Sequence, residues 1–403
     1  MANNNNTKNL NVPTLRFPEF TGEWEETILG KCVTQPLDYG MNAAAIAYDG
    51  ENKYIRITDI DEQSSQYISD DPVSPAGQLL DKYIVEENDI LFARTGASTG
   101  KTYLYKKKDG KLYFAGFLIR AKIKTEYNSA FIFAQTKTAQ YYKWVEFMSI
   151  RSGQPGINSQ EYASYRFLIP QKEEQDKIAT FLSLLDSRIE AQIKIIEDLK
   201  LLKKELLKKV FFQELRLPEF NENWKIVTLS DVGTFFSGGT PSTSIGQYYN
   251  GNIPFIKSGE INADNTEQFI SEEGLRNSSA KMVEIGDLIY ALYGATSGEV
   301  GISKIKGAIN QAILCIRTNL NSIFLLNFLM FKKEEILRTY LQGGQGNLSA
   351  EIIKSLKIPA PVYAEQTKLS HLFSAFDKKI ELETNVMTKF MQQKQYLLAN
   401  LLI

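Results

Sequence analysis

The sequence predicts an α+β protein: two similar mixed domains, separated by two long helices that pack on each other as a coiled coil. Three observations lead there. The chain is written twice at domain length, each copy is dense in Tyr, Phe, Ile and Thr punctuated by Gly, Asp and Asn, and each copy gives way to a long amphipathic stripe. LRFPEF, Leu15 to Phe20, returns as LRLPEF, Leu215 to Phe220; Trp24 and Leu29 return as Trp224 and Leu229, all at an offset of 200. Asp89-Ile90-Leu91 and Gly96-Ala97-Ser98-Thr99-Gly100 recur as Asp287-Leu288-Ile289 and Gly294-Ala295-Thr296-Ser297-Gly298, at 198. Ile169-Pro170 is matched to Ile358-Pro359 at 189, and Glu174-Gln175 and Asp186 to Glu365-Gln366 and Asp377 at 191. A period near 200 is far outside the ~20 to 50 residues of solenoid repeats, so each copy is a domain in its own right.

Taken in order, residues 1–14 form a polar tail expected to be disordered, and 15–170 the first mixed block. Inside that block Asn128-Ser129 caps a helix from Ala130 to about Phe147, whose counterpart begins at Asn321-Ser322 and runs to about Leu341. Residues 171–214 are the central helix, with apolar residues at Ile178, Leu182, Leu185, Ile189, Ile193, Ile196, Leu199, Leu202, Leu206 and Val210. The threes at Ile196, Leu199 and Leu202 depart from strict heptads and predict local unwinding. The second block is 215–359. Residues 360–403 are the last helix, with Leu369, Phe373, Phe376, Ile380, Met387, Phe390, Leu397 and Leu401 on its stripe and Thr384 and Lys394 as polar interruptions. Helices of ~40 residues are ~60 Å long, and neither stripe can stand alone in water. The packing set is expected at Ile178, Leu182, Leu185, Ile189, Ile193, Phe373, Phe376 and Ile380. An intramolecular hairpin would satisfy part of it, but Leu372, Met391, Leu398 and Ile403 add apolar surface that points to a further helical partner.

Composition narrows the chemistry. The 403 residues are 43% hydrophobic and 23% charged, with 46 basic against 47 acidic side chains. Cys32 and Cys315 are too few for a disulfide framework, and a single histidine, His371, leaves no material for a His-based metal site or relay. MANNNNTKNLN has no apolar h-region, and no apolar run reaches the ~18 residues of a membrane span, so a soluble, intracellular protein without a membrane partner is expected.

Gly96 to Thr102 imitates a P-loop, but three residues stand between its glycines where four are needed, and in the second copy Gly298 is followed by Glu299-Val300. With strand texture on both sides, a glycine turn at a sheet edge is expected, with a polar surface free to meet DNA. Glu51-Asn52-Lys53 lacks the preceding Pro-Asp of a nuclease motif, and no methyltransferase, G-x-S-x-G or H-E-x-x-H string is present. No catalytic residue and no metal ligand is assigned. Material for binding remains. Lys101, Lys106, Lys107, Lys108, Lys111, Arg120, Lys122 and Lys124 stand against the single acid Asp109, interleaved with Tyr103, Tyr105, Tyr113 and Phe114. The loop Arg151 to Asn158 offers Arg, Gln154 and Asn158 on a Gly-rich backbone, and Gly343 to Asn347 offers Gln345 and Asn347. A solvated lysine hairpin and ordinary tight turns would look the same.

The order of mixed block, Gly/Gln/Asn-rich turn, I-P, E-Q-x-K-I/L and long helix, written twice, resembles the specificity subunit of type I restriction-modification enzymes. Ile169-Pro170 with Glu174-Gln175, Lys177 and Ile178, then Ile358-Pro359 with Glu365-Gln366, Lys368 and Leu369, and Ser237-Gly238-Gly239-Thr240-Pro241 carry the likeness, which spans the chain from about Leu15. The first copy is two residues shorter between its I-P and its E-Q, and has Asp38-Tyr39-Gly40-Met41 where the second has Ser237 to Pro241. The resemblance implies two target recognition domains, each reading one half of a bipartite, asymmetric site in double-stranded DNA. It implies helices that fix the spacer and dock two modification (methyltransferase) subunits, with two restriction subunits in the full complex. S-adenosylmethionine, ATP and Mg would then sit on those partners, this chain would hold no cofactor, and the setting would be bacterial cytoplasm. Candidate DNA contacts are Tyr39, Arg56, Thr58, Arg94, Ser98, Thr99, Lys101, Lys106, Lys107, Lys108, Gln154 and Asn158 in the first copy. In the second they are Ser237, Thr240, Lys257, Ser258, Tyr293, Thr296, Ser297, Gln345 and Asn347. A coiled-coil DNA-binding regulator would place one reading domain per chain and need no duplication. A structural adaptor would explain the helices but not the basic, aromatic block.

Overall fold

The computed structural model describes residues 11–62, 64–150, 156–340 and 347–403, which fall into two units, one of Met1–Ala191 with Val386–Ile403 and one of Gln192–Asn385. The boundary cuts both long helices, so each unit owns half of each. Most of the expected tail, up to residue 10, lies outside the described residues. Residues 11–14 are already anchored, since Trp24 N donates to Asn11 O at 2.8 Å and Pro13 is buried.

In the first unit the strands are β1 (Glu25–Ile28), β2 (Asp38–Tyr39), β3 (Ala45–Ala47), β4 (Lys53–Ile55), β5 (Val73–Pro75), β6 (Asp89–Ala93), β7 (Thr102–Leu104), β8 (Leu112–Phe114), β9 (Leu118–Lys122) and β10 (Arg166–Ile169). Its helices are α1 (Ser129–Gln135), α2 (Ala139–Ser149), α3 (Ser159–Ala163) and the start of α4 (Lys172–Phe211). The central sheet runs β2-β9-β6-β7, and β6 is buried on both faces. Alternate residues therefore serve different cores: Ile90 and Phe92 meet Trp24, Phe131 and Phe167, while Leu91 and Ala93 meet Ile55, Leu112 and Phe114.

The second unit repeats this with β11 (Lys225–Thr228), β12 (Gly233–Ser237), β13 (Ile253–Ile256), β14 (Phe269–Ile270), β15 (Lys281–Val283), β16 (Leu288–Ala291), β17 (Val300–Ile302), β18 (Gly307–Ile309), β19 (Ile313–Thr318) and β20 (Lys357–Ala360). The helices are α5 (Glu272–Arg276), α6 (Ser322–Tyr340), α7 (Ala350–Lys354) and α8 (Tyr363–Leu401), the last ending in the first unit. Its central sheet is β12-β19-β16-β17, with Leu288 and Tyr290 in one core and Ile289 and Ala291 in another.

Three expectations are corrected. The helix from Ala130 to Phe147 is two helices, because Thr136 and Thr138 donate their hydroxyls back to Phe133 O (2.7 Å) and Gln135 O (2.8 Å), and Thr138 then caps Tyr141 N. The strand register moves the I-P match: Ile169 pairs with Glu25 as Ala360 pairs with Lys225, so Ile169-Pro170 answers Ala360-Pro361 and the apparent two-residue deletion vanishes. The helix seam also differs from the apolar stripe at its middle. Ile193 and Leu202 are exposed, while Gln192 and Lys203 are buried in their place.

Hydrogen bonds and charge explain the exchange. In the second unit Gln192 donates to Glu383 O at 3.1 Å and Lys203 reaches Asp377 at 2.5 Å, which sets α4 and α8 antiparallel. In the first unit the repeat partners, Lys394 and Asp186, make the same pair at 2.5 Å. Toward the helix ends the packing is apolar: Ile178, Leu182 and Leu185 with Leu397, Leu398 and Leu401 in one unit, Leu207, Val210 and Phe211 with Leu369 and Phe373 in the other. Each such side chain contributes about 1.5–3 kcal/mol by burial. Ile189, Phe376 and Ile380 are half-buried on the same faces.

Candidate nucleic-acid interface

The strings that mark the repeat turn out to be one clamp built twice. Arg16 donates from Nε and Nη2 to the buried Glu174 carboxylate at 2.8 and 2.7 Å; Arg216 reaches Glu365 at 3.1 Å, where Trp224 Nε1 donates as well at 3.2 Å. Gln175 accepts from Asn128 N at 3.0 Å and donates to Pro170 O at 2.8 Å, and Gln366 does the same with Asn321 N (2.9 Å) and Pro361 O (2.8 Å). Lys177 pairs with Glu19, and Lys368 with Glu219. These motifs fix where a long helix joins each domain.

The candidate surface lies at one end of each central sheet. In the first unit Arg94, leaving β6, donates its N–H to Phe117 O at 3.1 Å and accepts from Ile157 N at 2.9 Å; in the second, Leu292 makes the same bonds with Ala312 O and Leu348 N, both at 2.8 Å. Tyr39 lies opposite Ile119 as Ser237 lies opposite Leu314. The three equivalent positions are therefore Tyr39, Arg94 and Phe117 in one unit and Ser237, Leu292 and Ala312 in the other. Tyr39 is exposed, its ring stacks under the Arg94 guanidinium at 4.9 Å, and its hydroxyl accepts from Ser159 N at 3.2 Å. In the second unit the neighbouring turn is polar, with the Thr240 hydroxyl donating to Gln311 Oε1 at 2.6 Å.

The glycine turn beside it is a hairpin, as expected: β6 and β7 flank it and no helix follows. Gly100 has φ +89° and lies so close to Val145 that a Cβ would stand 2.5 Å from its Cγ1, which explains the glycine without any phosphate. Thr99 donates to Gly96 O at 2.8 Å, and Ser98 O accepts from Lys101 N. In the second copy the Ser297 hydroxyl donates to Leu292 O at 3.0 Å, Thr296 O accepts from Glu299 N, and Tyr293, half-exposed, has its phenol pushed up by desolvation.

The lysine run is placed differently from what its charge suggested. Lys106 and Lys108 pair with Glu190 of α4 at 3.0 and 3.2 Å, Gln66 donates to the same carboxylate at 2.6 Å, and Lys107 pairs with Glu87 at 3.0 Å. Partial desolvation pushes the Glu190 carboxyl up, but Lys106 and Lys108 hold it below its usual value. Lys101 donates to Ile60 O at 3.0 Å. Lys106 and Lys108 thus fasten the block to α4, while Lys101 and Lys107 bond within the block. Arg56 is held by Asp59 at 2.7 and 2.8 Å with Thr58 beside it, Lys257 and Ser258 open a short 3-10 turn closed by Glu260, and Asn158 caps α3. Asn347 is exposed next to Leu348. Gln154 and Gln345 lie outside the described residues. Two residues that pattern reading missed, Phe117 and Gln311, sit at the turn tip; the signal was a Gly-Phe pair between two strands.

Asp89 and Asp287 are repeat partners with opposite electrostatics. Asp89 is fully buried and desolvation lifts its carboxyl to about 6, with Arg120 at 3.6 Å only partly compensating. Burial pushes Asp287 up too, but Arg317, at 2.9 and 2.7 Å, holds it below the usual range. Among the described residues no group of three or more His, Cys, Asp or Glu side chains is placed to hold a metal ion, and no helix is long and apolar enough to cross a membrane.

The arrangement can be set against known proteins. The family model for the type I restriction modification DNA specificity domain matches residues 41–200 and 221–389. The type I restriction enzyme MjaVIII specificity subunit of Methanocaldococcus jannaschii is 24% identical over 370 residues, covering 84% of each chain. The EcoR124I/EcoR124II specificity subunit of Escherichia coli is 25% identical over 197 residues, 46% of this chain and 48% of that one. Among solved structures, the S subunit of a type I restriction-modification system from M. genitalium shares the fold at TM-score 0.62 and 16% identity, covering 97% of this chain and 99% of that one. With its model matching two successive, clamp-sharing units across most of its length, the chain belongs to the type I restriction-modification DNA specificity family.

Proposed function

We propose that this chain is the sequence-reading subunit of a type I restriction-modification complex and performs no chemistry itself. Each unit reads one half of a bipartite, asymmetric site in double-stranded DNA, through the sheet end that carries Tyr39 and Arg94 in one unit and Ser237, Thr240 and Gln311 in the other. The observation that carries the reading is that the two units share a matching Arg–Glu clamp while their sheet ends carry unlike side chains, Tyr39 under Arg94 in one and the Thr240–Gln311 pair in the other. The helices fix the spacer and dock two modification subunits, for which exposed Leu184, Leu201, Leu202, Leu382 and Tyr396 offer apolar surface. Two restriction subunits complete the assembly, and S-adenosylmethionine, ATP and Mg belong to the partners, in a bacterial cytoplasm.

Co-expression with a type I modification subunit, followed by single-molecule methylation mapping, tests this. The expected modified site is two short, different blocks separated by a fixed number of unread base pairs. A continuous or palindromic site would overturn it, and a homodimer that binds DNA without any methyltransferase partner would favour a regulator instead.

A further inference from the structure

The end of the first unit's central sheet carries a side chain that its own fold does not use. Phe117 is 64% exposed on the turn between β8 and β9, while the equivalent Ala312 of the second unit is buried. The backbone there is tightly determined: Gly116 N donates to Met41 O at 2.8 Å, Leu118 N to Ala115 O at 2.8 Å, and Arg94 N to Phe117 O at 3.1 Å. Gly40 lies so close that a Cβ would stand 2.2 Å from Ala115 O. The ring is thus presented on a fixed turn that is bonded through its backbone to Arg94, whose guanidinium lies over the Tyr39 ring at 4.9 Å; no carboxylate pairs with that guanidinium among the described residues. A cation with no acid partner among the described residues, stacked on an exposed aromatic, at the end of a strand whose backbone neighbour carries an exposed apolar ring, suits a polyanion with apolar features on its exposed edge. In a DNA major groove that feature is the thymine C5 methyl, the one apolar group among the base edges there, and Phe is among the side chains that contact it.

We propose that Phe117 is a specificity-determining residue that contacts the C5 methyl of a thymine in the half-site read by the first unit. The second unit, with Ala312 buried and the Thr240–Gln311 pair at the equivalent turn, reads its half by hydrogen bonds instead. The inference rests on the DNA-reading function above and assigns chemistry to one of its two surfaces.

The test uses the complete complex with a modification subunit and synthetic duplexes in which each thymidine of the site is replaced in turn by deoxyuridine, which lacks only the methyl. Wild type is expected to lose about fourfold in affinity at one such position, in one half-site, the loss that removing one buried methyl produces. Phe117→Ala should bind thymidine and deoxyuridine duplexes equally at that position and keep its discrimination in the other half. Phe117→Leu, which keeps an apolar tip, should retain part of it, and decides the matter if the alanine variant binds too weakly to measure. Site-specific binding by wild type with no sensitive deoxyuridine position, a half-site without thymine, or a methyl effect that persists in Phe117→Ala would each overturn the assignment while leaving DNA reading intact. Absence of any site-specific binding by wild type would overturn the function itself.

Discussion

The two units share a skeleton and differ at their tips and in one buried charge. Both close the helix junction with the same Arg–Glu and Gln–backbone bonds, and both bury a two-faced central strand. At the sheet ends Tyr39, Arg94 and Phe117 occupy the positions that Ser237, Leu292 and Ala312 occupy in the other unit, and Asp89 lacks the bidentate arginine that Asp287 has. A second asymmetry comes from connectivity. In the second unit residues 215–220 follow α4 directly. In the first, the matching segment is joined to α8 only through contacts such as Leu15 N to Asn400 O at 2.9 Å.

The largest effect that would sharpen this comparison is exchange of residues 15–170 for the block of a relative. It should replace recognition of one half-site completely and leave the other half and the spacer unchanged in methylation maps. Altered bases in both halves would mean that the units do not read independently.

Removing the clamp acid should come next. Glu174→Ala leaves the Arg16 guanidinium largely buried without its partner, a change that costs about 3–5 kcal/mol when the charge is deeply buried and less here because Arg16 keeps some exposure. Since the first unit's segment has no covalent tie to α8, limited proteolysis should cut it near Arg16 in Glu174→Ala. Cleavage near Arg216 in Glu365→Ala should be weaker, because that segment continues from α4. Equal cleavage at both places would show that connectivity contributes nothing.

Asp89 and Asp287 should titrate the two units in opposite directions. The folded-state carboxyl of Asp89 sits at about 6, above its unfolded value near 4, so the unfolded chain binds fewer protons between these values and stability falls as pH rises through that window. The fall is about 2–3 kcal/mol and is complete above pH 6. Asp89→Asn should flatten it and raise stability at pH 7. Asp287 is held below its unfolded value, so its contribution is present above pH 4 and is lost as pH drops further; Asp287→Asn should destabilise at neutral pH. Chemical denaturation of wild type and both variants from pH 3 to pH 7 checks both signs.

The smallest effect belongs to the lysine hairpin. Lys106 is paired with Glu190 at a partly exposed site, so Lys106→Ala should cost under about 1 kcal/mol of stability. The slope of log affinity against log salt for DNA should not move, whereas loss of a phosphate contact would make it shallower by about 0.9.

Pattern alone determined the duplication, the block-helix-block-helix order and the rejection of the P-loop imitation. Those depend on spacing, texture and glycine count, which are local properties of the string. The start of α4 at Lys172 and the caps Asn128 and Asn321 were legible for the same reason. Only the tertiary structure decided the partners of charges. Glu190, the partner of Lys106 and Lys108, stands more than eighty residues away in the chain, and the burial of Gln192 and Lys203 beside Glu383 and Asp377 lies outside the apolar stripe. The I-P match followed string identity, while the strand register that corrects it is a non-local pairing. Phe117 was marked only by the Gly116-Phe117 pair, and a phenylalanine between strands is ordinarily core. Its exposure follows from the turn held by Met41 and Arg94, residues far apart in sequence that only folding sets side by side.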